Sequence, residues 1–76
     1  MDINAFIEKM TEQYDDGDGI ALAPGSKFKD VKGWSSLIAL SVISMIDEEY
    51  NVSVSGNDIR SSETIEDLFN MVKSRA

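Results

Sequence analysis

The sequence predicts an all-α fold, a small bundle of three longer helices and one short helix in a single domain spanning residues 1–76. Three observations lead there. Apolar residues recur at helical spacing in several segments, residues suited to helix caps stand just before those segments, and no alternating run is long enough to build a sheet.

In the first segment Ile3, Phe6, Ile7, Met10 and Tyr14 share one helical face, with Asp2 placed to cap and to favour that end by its charge. A helix is predicted over residues 3–14. Asp15-Asp16-Gly17-Asp18-Gly19 then stops it, and a polar loop holding the single proline, Pro24, continues to Gly33. Long loops in compact domains are often functional, so its place before the next helix carries information. The second helix is predicted to begin at Ser35 or Ser36 and to run to Tyr50, with Asn51 as the left-handed residue that closes it. Val52 and Val54 alternate with serines and read as an extended connection. Ser55-Gly56-Asn57-Asp58 and Thr64-Ile65-Glu66-Asp67 read as two capping boxes, each opening a helix, and the last helix aligns Ile65, Leu68, Phe69 and Val72.

Composition narrows the chemistry. A domain of 76 residues has a thin core, yet 42% apolar residues spread over several segments argue for a folded globule. There is no cysteine and no histidine, so a disulfide framework, thiolate or imidazole metal ligands and a histidine base are all excluded. No metal site is expected. Asp15 to Gly19 resembles part of a calcium loop, but with Gly19 as the turn glycine the first and twelfth positions are Tyr14 and Gly25, which supply no carboxylate. Fourteen acidic against seven basic residues give a net charge of −7, which disfavours nucleic acid and anionic lipid and favours protein partners with basic docking patches. No apolar run reaches the ~20 residues of a membrane span, and the N-terminus lacks the layout of a signal peptide. A cytoplasmic monomer is expected.

Gly33-Trp34-Ser35-Ser36-Leu37 stands where the long loop meets the longest helix. A helix N-terminus offers unpaired N–H groups and about half a positive charge, both favourable to a phosphate ester. Ser36 is the candidate to carry one, while the plain alternative is that Ser35 or Ser36 simply serves as the N-cap.

Over nearly its whole length the chain resembles the acyl carrier protein family, whose second helix opens on an Asp-Ser-Leu motif. Here that motif reads Ser35-Ser36-Leu37. Leu22-Ala23-Pro24 and Phe28 resemble the loop leading into it, Gly33-Trp34 the pair common before it in specialised carriers, and Ile46-Asp47-Glu48-Glu49-Tyr50-Asn51-Val52 the acidic, aromatic end of the second helix. Asp58-Ile59 and Thr64-Ile65-Glu66-Asp67-Leu68 fall at the spacing of the third and fourth helices. The resemblance implies that a phosphopantetheinyl transferase esterifies Ser36 with the 4'-phosphopantetheine of coenzyme A, and that the arm holds acyl intermediates as thioesters for fatty-acid, polyketide or specialised acyl enzymes. An aminoacyl or peptidyl cargo, or an unmodified helical interaction module, are the alternatives. Ser35 replaces the motif's acidic residue, an exchange that keeps the cap and alters what a transferase meets.

On a wheel of about 100° per residue, Ile38, Ala39, Val42, Ile43, Met45, Ile46 and Tyr50 form the core arc of the second helix. Leu37 and Leu40 fall outside it, among Ser41, Ser44, Asp47 and Glu48. The predicted docking strip is Leu37, Ile38 and Leu40, rimmed by Asp47 and Glu48. Ile38 is included because it follows Leu37, where the family often has a polar residue. No enzyme activity is expected, because no base accompanies Ser36 and the carboxylates lie on solvated faces.

Overall fold

In a computed structural model of the chain, which describes residues 2–14 and 21–76, the regular structure is entirely helical. Helix α1 spans Ile3–Glu12, α2 Ser36–Tyr50, α3 Gly56–Ser61 and α4 Ile65–Arg75, with a single 3₁₀ turn at Phe28–Asp30. Four helices form a small bundle, as the apolar stripes require. Asp15 to Gly19, expected to terminate the first helix, lie outside the described residues.

The caps follow from local chemistry. The Asp2 carboxylate accepts from the Asn4 N–H at 3.1 Å, while Ser55 with Asp58 and Thr64 with Asp67 close reciprocal capping boxes. Asn51 adopts φ 56° and donates its N–H to the Asp47 carbonyl, ending α2 in the left-handed conformation that asparagine tolerates. Val52 and Val54 are buried in the extended connection that follows.

Helix α1 is shorter than its apolar spacing predicts. Gln13 and Tyr14 bond back three residues, to the Met10 and Thr11 carbonyls at 3.1 and 3.2 Å, so the helix tightens after Glu12. Tyr14 nevertheless stays in the core and donates its hydroxyl to the Phe28 carbonyl at 2.6 Å. Burial pushes its pKa up to about 12, since the ionised phenolate would lose its hydration there.

One core joins all four helices. Phe6 of α1 meets Phe69 of α4 edge-on at 5.4 Å between centroids and Tyr50 of α2 at 5.7 Å, while Ile38, Val42, Met45 and Ile46 supply the buried face of α2. Helix α1 packs on α4, and α2 on α3. The bidentate pair from Arg75 to Asp58, at 2.8 and 3.1 Å, ties α4 to the start of α3, and the Arg75 guanidinium also reaches the Ser53 carbonyl. Arg75, then the Ser55 backbone, hold the Asp58 carboxyl well below the usual carboxylate range.

The loop before α2 is better tied than a polar connection suggests. The Pro24 and Ser26 carbonyls accept from Glu66 N–H at 2.9 Å and Ile65 N–H at 3.1 Å, so the loop satisfies two of the orphan donors at the start of α4. Phe28 is wholly buried. The chain therefore reaches α2 along a fixed path.

Candidate functional site

The approach to Ser36 is set by a turn and an aromatic cluster. The Trp34 N–H donates to the Val31 carbonyl at 3.1 Å, and Gly33 inside that turn has φ 97°, a conformation that strains any residue with a Cβ. Trp34 then packs edge-on against Phe28 at 5.3 Å and tilted against Tyr14 at 6.1 Å. These contacts aim the chain into α2.

Ser35 is the N-cap. Its extended backbone, at φ −155° and ψ 174°, lets its Oγ accept from the Ile38 N–H at 3.3 Å while its carbonyl accepts from the Ala39 N–H at 3.0 Å. Ser36, the first helical residue, is free of that duty and exposed, so its hydroxyl stands in solvent at the positive end of a helix of 15 residues.

The residues of the expected docking strip are brought together only in part. Leu37 and Leu40 are the exposed large hydrophobics among the described residues, at 67% and 61% of their full accessibility, and Asp47 and Glu48 are exposed too. Ile38 does not belong with them. At 2% exposure it is core, because one step along α2 from Leu37 turns a side chain by about 100° from solvent to the interior. Its expected contact with partners is therefore corrected, and its role is to anchor the first turn.

Two grooves flank α2, and Leu40 lines both. Towards α1 a groove of about 350 Å³ carries Glu12, Glu48 and Glu49 with Lys9, whose ammonium lies 3.4 Å from Glu49. Towards α3 a groove of about 550 Å³ runs beside Ser36 between Trp34, Ala39 and Ile43 on one side and Ile59 on the other. Its charged lining residues are Lys29 and Arg60, and no carboxylate contributes to it among the described residues. Glu48 and Leu40 thus share the acidic groove, while Asp47 and Leu37 line neither.

The sequence reading missed this second groove and its cations. Lys29 and Arg60 are 31 positions apart and meet because the Lys29 ammonium donates to the Arg60 carbonyl at 2.7 Å. The only early sign was a loop rich in lysine, with Lys27, Lys29 and Lys32, in an acidic chain. No family model, curated protein or solved structure matches this chain.

The sequence contains no histidine, and the Ser36 hydroxyl stands exposed at the head of α2. Among the described residues no helix is long and apolar enough to cross a membrane.

Proposed function

We propose that this chain is an acyl-carrier-type bundle whose Ser36 accepts a 4'-phosphopantetheine arm and presents acyl intermediates to biosynthetic enzymes. The observation that carries the reading is the exposed Ser36 hydroxyl at the first turn of α2, relieved of capping by Ser35 and opening onto an apolar groove. The residues present fit the group. A phosphodiester on Ser36 would sit at the favourable pole of the helix and remain in water, and the neighbouring groove offers apolar cover for a cargo. When bound, the arm supplies a thiol that holds an acyl group as a thioester. The chain's own part is to expose the serine, to orient α2 through Trp34 and Ile38, and to offer Leu37 and Leu40 to visiting enzymes.

On this reading the protein is a cytoplasmic monomer, catalyses nothing by itself, and works with a phosphopantetheinyl transferase and with acyl-loading and acyl-processing enzymes. Its net charge of −7 favours partners with basic patches, Asp47 and Glu48 being the exposed acids of α2 nearest that use.

Co-expression with a broad-specificity phosphopantetheinyl transferase followed by intact mass measurement tests the proposal. Addition of the pantetheinyl mass, mapped to Ser36 and lost in Ser36→Ala, is the expected result. Ser36→Ala should keep its helical circular dichroism, because Ser35 still caps α2. Ser35→Ala should instead cost about 0.5–2 kcal/mol in urea unfolding while leaving the attachment residue in place. An unmodified chain beside an active transferase, or a group mapped to Ser35, would sink the assignment, and the former would favour an unmodified interaction module.

A further inference from the structure

The groove beside Ser36 is more than an apolar slot. Trp34, Ile43 and Ile59 wall it with hydrocarbon and aromatic surface, yet Lys29 and Arg60 line it as well, in a chain where acids outnumber bases fourteen to seven. Neither cation has a carboxylate within ion-pair distance among the described residues, where the paired cations are Lys9 and Arg75. Lys29 is also held in place. One of its three N–H groups donates to the Arg60 carbonyl, and its ammonium lies 5.8 Å from the Phe28 ring centroid, so two donors remain available on a fixed charge.

An apolar channel lined by two cations that have no carboxylate partner among the described residues suits a ligand with a hydrocarbon body and a negatively charged end. A neutral alkyl chain would leave Lys29 and Arg60 without a counter-ion, and a cationic one would be repelled by both. We infer that the groove selects a carboxylate-ended cargo, an acyl chain whose free end is a carboxylate held by Lys29 and Arg60 while its methylenes lie against Trp34, Ile43 and Ile59. That the ligand is a cargo on Ser36 rests on the carrier reading. The charge preference of the groove is a property of these residues alone. A phosphate on Ser36 is the other anion within reach, so the test uses probes that contain none.

The chain has no cysteine, so Ser36→Cys introduces a single thiol at the groove mouth with Ser35 still capping α2. This variant, as its mixed disulfide with 2-mercaptoethanol, is equilibrated with equal amounts of three thiols of one length: sulfanylhexanoic acid, sulfanylhexanol and sulfanylhexylamine. Intact mass reads the ratio of the three disulfides. The expected order is acid over alcohol over amine, the acid exceeding the alcohol about three- to fivefold at low salt, as solvent-accessible ion pairs allow. The overall charge of −7 acts against that order, so its appearance points to the local cations.

Adding Lys29→Gln and Arg60→Gln should bring acid and alcohol to parity, whereas Lys73→Gln, on the exposed face of α4, should leave the ratio unchanged. Circular dichroism of each variant confirms that the helices persist. Parity in the Ser36→Cys background, or an acid preference that survives both neutralisations, would overturn the inference. Because the probes need no transferase, the two readings fail separately. A preserved acid preference with a Ser36 that never gains the pantetheinyl mass discards the carrier and keeps the groove's selectivity; a pantetheinylated Ser36 with no preference does the reverse.

Discussion

The two grooves along α2 share Leu40 and little else. On the α1 side three glutamates surround one lysine that is already paired, and the walls are largely the polar edges of two helices. On the α3 side the walls are apolar and both charges are positive. One helix therefore separates surfaces of opposite sign, and a net charge of −7 describes neither. The acidic groove suits a basic protein surface, whereas the cationic one, next to the serine, suits a small anion-bearing ligand. Their supports differ as well. The acidic groove is built from two regular helices, while the cationic one depends on a loop held by Phe28, Trp34 and Tyr14.

That difference makes the α3 side the easier to break. Phe28→Ala removes a fully buried ring from beneath Trp34 and should cost about 3–5 kcal/mol by urea unfolding. For a domain this small that is a large part of its stability, and tryptophan fluorescence should shift to the red as Trp34 loosens. A cost under about 1 kcal/mol would show that the loop is not the support described here.

Tyr14→Phe is gentler, keeping the ring and leaving the Phe28 carbonyl without its donor, at about 1–3 kcal/mol. The pH dependence carries a sign. The folded pKa of Tyr14 is raised to about 12 from an unfolded value near 10, so its stabilisation is complete below pH 10 and declines as pH rises towards 12. Alkaline unfolding followed by circular dichroism should be less steep in Tyr14→Phe over that interval. Identical slopes would remove Tyr14 from the account.

The smallest effect belongs to the acidic groove. Lys9→Gln breaks a solvent-accessible pair with Glu49 and should change stability by less than about 1 kcal/mol, the change shrinking further as salt is added. A larger, salt-independent loss would mean that this groove is as firmly built as its neighbour, and the contrast between them would fall.

Much of this architecture was legible in the residues themselves. Asp2, Ser35, Ser55 and Thr64 cap helices because a short polar side chain can reach an N–H two or three residues ahead, a bond that needs no distant partner. The stripes of α1, α2 and α4, the left-handed Asn51 and the exposed Leu37 and Leu40 follow from helical periodicity in the same way. Ser36 was likewise marked by its position after a cap. Other features needed the fold. The helical wheel places Ile38 in the core arc and its position after Leu37 places it on the docking strip, and its burial in the folded chain decides for the core. Tyr14 kept its place inside although α1 stops at Glu12, because its hydroxyl found the Phe28 carbonyl 14 residues away. The strapping of Pro24 and Ser26 to α4, and the meeting of Lys29 with Arg60, join residues separated by tens of positions. The sequence alone determined its helices, their caps and the exposure of a serine at the head of the longest one, since those depend on neighbours within a turn. The tertiary structure decided which charges share a groove, because only chain folding can bring a lysine from a loop and an arginine from a short helix against the same apolar wall.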